Sequence, residues 1–391
     1  MKVIIFYAKT GGGHLSACKS LEESLNSLNI PVVTLDSLEF AGHLVSKEVC
    51  SAYTYIVKSV PELFGALYNA GEKISDHNKK SIIYKLNSFY ADNILTVLEE
   101  EQPDIIISTH IFATQSISYL KQKNKIKALT ASIVTDYTCA PFWEETDLDY
   151  YFLPHKDLIK EFEDKGLDSS KLIAFGLPID SKFKVKTPKE KAKVSLGLEK
   201  NKPHILIMGG SMGAGSVKDT TLYISKHLKE CNITTICGNN KELFKEISEI
   251  EKLNPRIHAL QFTHEINELM DSANILVTKP GGLTSTEAMN KSLPIVMINP
   301  IPGVESANCN FFMKHNLGVK SNSLHETLKI CEKLISDKNF YEKIVSSQKL
   351  NSNINAAEDI CKFLITKYHE IQYNSDNNSL WLLEKIIVTY K

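Results

Sequence analysis

The residues best suited to chemistry in this sequence are a histidine and several carboxylates that follow glycine-rich turns or end apolar runs. His14 comes after three glycines, which in turn follow the apolar run Lys2–Tyr7. With an unperturbed pKa of about 6.5, a histidine there can take a hydroxyl proton at neutral pH. Asp136 follows the apolar run Leu129–Val134, at the strand end where α/β domains bind ligands. The alternatives are a helix-start histidine satisfied by backbone and an aspartate that caps a turn.

The segment Asn274–Asn308 predicts a strand, a glycine turn, a helix, a second strand and a polar loop, which together make a βαβ unit. Thr284 or Ser285 is expected to cap the helix, with Glu287 in its first turn. Gly281–Gly282 would let the backbone approach a ligand, and the helix start would offer N–H groups to phosphate. A carboxylate there suits ribose hydroxyls. The segment therefore indicates half of a nucleotide-diphosphate site.

Two further glycine loops follow predicted strands. Gly209–Gly215 contains more glycine than a turn needs, which favours a diphosphate cradle over close helix–strand packing. In the first loop, Gly11 and Gly13 followed by Asp36 resemble a dinucleotide fingerprint, although the third glycine is missing. An NAD-dependent oxidoreductase is therefore one alternative, and a non-catalytic UDP-sugar sensor is another.

Bulk composition limits the choice of partners. A chain of 391 residues favours two domains, and a net charge of −1 gives no indication of nucleic acid. The eight cysteines include no CxxC pair, which indicates free thiols in a reducing cytosol. The amino terminus predicts a first strand rather than a signal peptide. No apolar run reaches the roughly 20 residues of a membrane span, so any membrane contact should be peripheral.

Alternating strands and helices predict an α/β fold in two halves, each with a glycine loop after its first strand. We expect domains at residues 1–183 and 184–355, joined by a lysine-rich linker at Asp180–Lys193, with a final helix and tail at 356–391.

PGGLTSTEA (280–288) followed by PGVESAN (302–308) resembles the donor region of family-28 glycosyltransferases. The resemblance is greatest to the branch of monogalactosyldiacylglycerol synthases and processive diacylglycerol glucosyltransferases. GGGH at 11–14, TD at 135–136 and GLPI at 176–179 belong to the same pattern. It implies a GT-B enzyme, in which two Rossmann-like domains face each other across a cleft. It also implies a last helix, Ala356–Glu370, that returns to the first domain.

The resemblance implies roles for individual residues. His14 would be the general base, and Asp136 would orient either that base or the acceptor hydroxyl. The implied donor-binding residues are Gly210, Ser211, Gly213, Phe262, Thr263, Gly281, Gly282, Leu283, Thr284, Glu287, Glu305 and Asn308. The residues expected on the acceptor side are Gly12, Gly13, His110 and Trp143. For His110, an ordinary loop position with no role in the site is an equal alternative. Glu305 cannot donate a hydrogen bond when ionised, which argues against an N-acetyl sugar.

The implied reaction transfers glucose or galactose from a UDP-sugar to diacylglycerol or a glycosylated diacylglycerol, with inversion. Related alternatives are a lipid I N-acetylglucosaminyltransferase and a UDP-sugar 2-epimerase. No metal or cofactor is expected, because glycine amides and helix starts can stabilise the leaving UDP. Asp147-Leu148-Asp149 is interpreted as a solvated turn rather than a metal motif.

The segment Val49–Tyr90 interleaves aromatic and apolar residues with lysines, including Lys79, Lys80 and Lys85. Aromatic residues prefer the headgroup level of a bilayer, and lysines favour an anionic surface. The resemblance implies docking on the inner face of the cell membrane by a cytoplasmic, peripheral protein. The alternative is an ordinary core, because apolar residues at helical spacing usually pack inward.

Overall fold

The computed structural model describes residues 1–10, 12–42, 47–48, 51–52, 55–56, 60–76, 79–210, 213 and 215–389, with side chains as far as residue 374. Within these residues lie two six-stranded parallel sheets, ordered β2-β1-β3-β4-β5-β6 and β12-β11-β10-β7-β8-β9. The strands of the first are β1 Val3–Tyr7, β2 Val32–Asp36, β3 Ile105–Ser108, β4 Leu129–Ile133, β5 Tyr150–Phe152 and β6 Leu172–Ile173. Those of the second are β7 His204–Met208, β8 Asn232–Ile236, β9 Ile257–Leu260, β10 Ile275–Thr278, β11 Ile295–Met297 and β12 Gly318–Lys320.

Helices cover both faces of each sheet. In the first half they are α1 Gly12–Ser27, α2 Pro61–Ile74, α3 Ile82–Phe89, α4 Ala91–Glu101, α5 Ile111–Gln122 and α6 Ile159–Asp164. In the second half they are α7 Lys189–Ser195, α8 Val217–His227, α9 Lys241–Leu253, α10 Ile266–Ser272, α11 Gly282–Asn290, α12 Val304–Lys314, α13 Leu324–Ser336 and α14 Lys338–Asn351, followed by α15 Ala356–Thr389. Short 3₁₀ helices span Ser37–Ala41, Trp143–Glu145, Lys156–Leu158, Ser169–Lys171 and Ser181–Lys184.

The central strands are apolar because helices bury them on both faces. Every residue of β3, β7 and β10 is buried. The predicted α/β, GT-B class is confirmed. Two short strands were not predicted from the sequence: β6 has only the two residues Leu172–Ile173, and the three residues of β12 include a glycine.

The last helix packs against the first half. Cys361 Sγ lies 3.9 Å from the Leu21 carbonyl oxygen of α1, and Tyr368 donates a hydrogen bond to Asp104. The helix begins at Ala356 as predicted and continues well past Glu370, to Thr389.

The segment expected to be a linker is structured. Residues Ser181–Lys184 and Lys189–Ser195 are helical, and the buried Lys193 donates to the Lys202 carbonyl oxygen at 2.6 Å. Asp149 is likewise not a solvated turn residue, because it pairs with Lys121 and accepts from the Thr130 backbone at 2.9 Å. Among the described residues, no helix is both long and apolar enough to cross a bilayer.

Candidate active site

His14 lies in the first turn of α1, where the end of β1 turns into that helix. Its Nδ1 is 2.7 Å from the Thr109 carbonyl oxygen, which can only accept. Nδ1 therefore carries the proton, and Nε2 keeps the lone pair that a general base needs. The Thr135 hydroxyl lies 3.2 Å from the same Nδ1. Burial lowers the pKa of His14 below its usual value, while nearby Asp136 and the Thr109 carbonyl oppose that shift. The imidazole is thus neutral near pH 7.

His110 supports His14 from behind. The two rings meet edge to face, with centroids 4.4 Å apart. Nδ1 of His110 accepts from the Phe112 N–H at 3.2 Å at the start of α5, and Nε2 lies 2.9 Å from the Thr10 hydroxyl oxygen. Because its ring nitrogens already have protein partners and its side chain is buried, His110 serves the packing of the site.

Asp136 lies just beyond β4 and faces the second half of the chain. Its Oδ1 accepts a hydrogen bond from Asn308 Nδ2 at 2.9 Å. Burial raises the pKa of Asp136, while the Asn308 bond and the charge of His14 act in the opposite direction. His14 and Asp136 are therefore an interacting pair whose charge can shift when a substrate enters.

Asn308 joins the two halves. Besides Asp136, its amide nitrogen donates to the Pro280 carbonyl oxygen at 3.1 Å, and its oxygen accepts from the Tyr137 N–H at 2.7 Å. The Tyr137 ring packs on Phe311 and Phe312 of the same helix, with centroids 4.9 and 5.0 Å away. In this geometry Asn308 is a fully buried clamp between the halves, which differs from the donor-facing role expected from the sequence.

Lys279 and Glu305 form an ion pair that sequence reasoning missed. Lys279 Nζ lies 2.6 Å from Glu305 Oε1, and the other carboxylate oxygen accepts from the Ile301 N–H at 3.0 Å. The charge of Glu305 raises the pKa of Asp136, and the charge of Lys279 lowers it. An added Cβ at Gly210 would lie 3.1 Å from Lys279 Cε, so the lysine borders the second glycine loop. The sequence could have indicated Lys279 as a site residue, because it directly follows β10 and ligands bind at strand ends in α/β folds.

Gly282 and Gly13 allow the halves to approach closely. A Cβ on Gly282 would come within 2.1 Å of the Thr135 carbonyl oxygen and 3.4 Å of Asp136 Oδ1. A Cβ on Gly13 would touch Leu283 at 3.5 Å. Gly12, by contrast, is exposed at the start of α1. The glycines at the centre of the cleft therefore serve contact between the halves, where the sequence suggested ligand approach for Gly282.

The remaining glycines of the second half differ in what their positions require. Gly210 has a φ of +70°, which favours glycine. Gly213 has a φ of +58°, and an added Cβ would lie 2.1 Å from the Cys237 carbonyl oxygen, so this position serves close packing against the end of β8. At Gly281 an added Cβ would meet no other heavy atom within 4 Å. Ser211 and Gly11 lie outside the described residues.

Glu287 lies in the second turn of α11, and the predicted first-turn position was wrong. The helix begins at Gly282 with Gly281 as its cap, so neither Thr284 nor Ser285 caps it. Helix-dipole stabilisation therefore does not explain this acid. Burial raises the pKa of Glu287 to about 8, with Lys182 lowering it and Asp180 raising it. The carboxyl group is therefore protonated at neutral pH, and hydroxyl groups that donate hydrogen bonds to it would favour its ionised form.

Phe262 and Thr263 follow β9, on the edge of the second half. Phe262 is exposed, with its ring 5.1 Å from His264, while the Thr263 hydroxyl accepts from the Glu265 N–H at 3.1 Å. The backbone after β9 is thus held by Thr263. Thr284 is half-buried on α11.

Trp143, expected on the acceptor side, has a side chain that is only 6% exposed. Its ring packs edge to face on Tyr151, with centroids 6.3 Å apart, and belongs to the core of the first half. Asp36 does not line a cofactor site, because its side chain is 1% exposed, accepts from the Leu38 N–H at 3.1 Å and lies 3.5 Å from Lys9 Nζ. A dinucleotide ribose could not reach an acid buried in this way.

Two parallel α/β halves, with glycine loops at the facing strand ends and a last helix that returns to the first half, define the GT-B fold. The monogalactosyldiacylglycerol (MGDG) synthase pattern matches residues 14–179. The glycosyltransferase family 28 C-terminal domain matches residues 204–318. The chain belongs to the family-28 glycosyltransferases, in the glycolipid-synthase branch.

Known proteins of similar length match the chain in sequence or in fold. The chain is 27% identical over 369 residues to processive diacylglycerol beta-glucosyltransferase of Staphylococcus aureus (strain bovine RF122 / ET3-1), covering 93% of this chain and 92% of the relative. The enzyme of strain Newman matches at the same identity and coverage. The solved structure of MurG from Acinetobacter baumannii has a TM-score of 0.59 at 14% identity, over 93% of this chain and 99% of that one. UDP-GlcNAc 2-epimerase from Neisseria meningitidis has a TM-score of 0.61 at 16% identity, over 94% and 100%.

Proposed function

We propose that the protein transfers a hexose from a UDP-sugar to the free hydroxyl of diacylglycerol or of a glycosylated diacylglycerol. The observation that carries the proposal is the pairing of a neutral His14, whose Nε2 lone pair is free to take a proton, with Asp136 at the strand ends of the first sheet that face the second half. Family membership and the named activity of the Staphylococcus aureus relatives point to the acceptor lipid.

In the proposed reaction, the acceptor oxygen attacks the anomeric carbon from the face opposite UDP. His14 Nε2 takes the hydroxyl proton as the new C–O bond forms, and the bond to the β-phosphate oxygen breaks. The anomeric configuration inverts in this single displacement. Asp136 stabilises the imidazolium that results, because its charge raises the pKa of His14.

The donor is held by the second half. Glu287 would accept from the ribose hydroxyls, and the backbone after β9 at Phe262 and Thr263 would face the base. The N-terminus of α11 at Gly281 would face the diphosphate. Lys279 would supply positive charge to the departing UDP, so that a resident metal is not required. Glu305 would exchange its Lys279 contact for a hexose hydroxyl.

Membrane docking is proposed for the outer faces of α2 and α3. On α3 the side chains of Ile82, Leu86 and Phe89 are 70%, 62% and 90% exposed, at spacings that share one helix face. On α2, Leu67 and Ile74 are also exposed. An anionic bilayer is the proposed occupant, because Lys73, Lys79 and Lys85 are exposed beside these apolar residues.

Several residues of the predicted docking segment have other tasks. Lys80 donates to the Glu145 carbonyl oxygen and lies over the Tyr84 ring, so it is not available to a membrane. Tyr84 and Tyr90 are buried. Tyr53, Val57 and Lys58 lie outside the described residues.

The inner face of α2 contacts the donor-side loop. A Cβ on Gly65 would come within 2.5 Å of Pro302 Cβ, and one on Gly303 within 2.7 Å of Tyr68 Cγ. The same helix therefore carries exposed apolar residues outward and holds the loop of Glu305 inward. Docking on the inner face of the cell membrane would bring diacylglycerol to the cleft from the side of α2.

The test uses purified full-length protein, liposomes containing diacylglycerol, and UDP-glucose, UDP-galactose or UDP-N-acetylglucosamine, with lipid products identified by mass spectrometry. We expect a hexosyl-diacylglycerol from one of the first two donors. Turnover of UDP-N-acetylglucosamine alone would contradict the hexose assignment. UDP binding without lipid product from any donor would favour a sensor.

A further inference from the structure

A cluster of two histidines and one aspartate lies where the two halves meet, away from the sugar-transfer site. His155 and Asp157 follow β5 in the first half, and His315 ends α12 in the second half. Asp157 Oδ1 is 3.9 Å from His155 Nδ1, and Asp157 Oδ2 is 3.6 Å from His315 Nε2. One candidate ligand atom from each of the three residues lies within 4.8 Å of the others.

The tautomer of His155 suits metal ligation. Its Nδ1 accepts from the Asp157 N–H at 3.1 Å, so this nitrogen carries a lone pair on the side of the cluster. Its Nε2 is 2.8 Å from Asn351 Oδ1, which accepts the ring proton. A histidine whose other ring nitrogen donates to an amide or carboxylate oxygen is the usual arrangement at metal sites. The weak N–H contact from Asp157 would give way to a cation.

His315 supplies the second imidazole. Its Nε2 is buried and makes no hydrogen bond to any described residue, although Asp157 Oδ2 is its nearest carboxylate atom. The ring stacks on Phe311, with centroids 4.2 Å apart, and its centroid is 5.1 Å from that of His155. Its buried Nε2 faces the other two candidate ligand atoms and is therefore oriented for use as a ligand.

We propose that His155 Nδ1, an Asp157 carboxylate oxygen and His315 Nε2 bind one divalent transition-metal ion, with Zn²⁺ the best match. Two imidazole nitrogens and one carboxylate oxygen suit zinc or cobalt, while magnesium and calcium prefer oxygen ligands throughout. Zinc bonds of about 2.0–2.2 Å place tetrahedral ligand atoms about 3.3–3.6 Å apart. The three ligand atoms lie within 4.8 Å of one another here, so they would move closer by up to about 1.5 Å on binding. The half-exposed Asp157 leaves the fourth position to water.

The site would be structural. From Glu305 to His315 the helix rises about 15 Å, so the ion would lie far from the donor hexose. Since His155 and His315 come from different halves, a bound ion would hold the C-terminal end of α12 against the first half. Asn308, on the same helix, makes the corresponding contact to Asp136. The ion would therefore stabilise one relative position of the two halves and would play no part in bond breaking.

The test is titration of metal-free, untagged, full-length protein with Zn²⁺ by calorimetry, with Co²⁺ absorption as a report on the ligands and Mg²⁺ as a comparison. We expect one equivalent of Zn²⁺ to bind and to raise the unfolding temperature, with Mg²⁺ having no such effect. Asp157→Asn and His315→Gln should each weaken Zn²⁺ binding about tenfold or more. His325→Gln, which changes an exposed histidine elsewhere in the second half, should bind as the parent does.

Asp157→Asn guards against a folding artefact, because the 157 backbone N–H that meets His155 remains and the side chain is half exposed. If His315→Gln fails to fold, the Asp157 variant decides the outcome alone. Absence of stoichiometric Zn²⁺ binding by the parent would overturn the proposal. So would parental affinity in Asp157→Asn, because any bound zinc would then have other ligands.

Discussion

Asn308 donates a hydrogen bond to Asp136 across the boundary between the two halves, at 2.9 Å. This bond from helix α12 of the second half lowers the pKa of a carboxylate in the first half, against the larger effect of burial. This contact links how the halves meet to the charge state of the proposed base, and it underlies the first prediction.

Asn308→Ala should lower the free energy of unfolding by about 1–3 kcal/mol, because the Tyr137 N–H loses its partner. The pKa of Asp136 should also rise, since the Asn308 bond is the largest of the effects that lower it. We expect the acid limb of the kcat profile to move to higher pH. Asn290→Ala, which removes a buried amide within α11, should cost stability and leave the profile unmoved. If the pH dependence of kcat in Asn308→Ala matched that of the parent, Asn308 would hold the two halves together without affecting the reaction.

His14→Ala should reduce kcat by about 10²–10⁴-fold, the usual contribution of a general base. UDP affinity should be close to that of the parent, because the donor is bound by the other half. In the parent, burial lowers the pKa of His14, so kcat should already be on its plateau at pH 7 and fall only below about pH 6.5. Steady-state kinetics and UDP calorimetry measure both. A variant with more than a tenth of parental kcat would contradict the role.

Glu287→Gln should remove a pH dependence from UDP binding. The carboxyl pKa is about 8 in the free protein, and ribose hydroxyls favour the ionised form, so binding should release a proton. Parental affinity should therefore rise more steeply than that of the variant from pH 6.5 to 8.5. Calorimetry in two buffers of different ionisation enthalpy measures the released proton.

Stability provides the control for Glu287. Its folded-state pKa is raised from 4.5 to about 8, so its contribution is fully present below pH 4.5 and is lost as the pH rises through 8. Glu287→Gln should therefore gain stability relative to the parent above pH 8. Parallel pH profiles of UDP affinity in the two proteins would assign Glu287 to packing alone.

Lys279→Met should reduce kcat by about 10²-fold, because the charge that would stabilise the leaving UDP is removed. Lys279→Arg should retain most UDP affinity. The double variant Lys279→Met/Glu305→Gln distinguishes the two explanations, because it also removes the acid that the lysine neutralises. Recovery of kcat in the double variant would mean that Lys279 only neutralises Glu305.

Replacing Lys73, Lys79 and Lys85 with Glu should weaken binding to anionic liposomes, measured by co-sedimentation. The loss in binding free energy should be at least about 3 kcal/mol, at roughly 1 kcal/mol for each lysine. Ile82→Ser/Leu86→Ser/Phe89→Ser should have a similar effect through lost apolar contact. Both variants should retain UDP binding and activity on a soluble short-chain acceptor. Leu253→Ser/Leu350→Ser, at equally exposed positions far along the chain, is the matched control. Equal losses on both acceptors would indicate a folding role for α2 and α3.

Local sequence was enough to predict the two-sheet architecture. Parallel strands buried on both faces must be short apolar runs, and the runs of β7 and β10 end at the turns that lead into Gly209 and Gly281. The positions of His14 and Asp136 at strand ends followed from the same pattern. Helix starts were harder to predict, since the cap of α11 is Gly281, which has no side chain to signal it.

Tertiary structure alone decided what the side chains at those positions do. Asn308 is a clamp because Asp136 and Tyr137, far away in sequence, meet it at the boundary between the halves. Trp143 is in the core and Lys80 is occupied, although their sequence surroundings resemble those of exposed residues. The raised pKa of Glu287 comes from burial against the segment that contains Asp180 and Lys182. Burial and charge are sums over neighbours in space, whereas periodicity reports only neighbours along the chain.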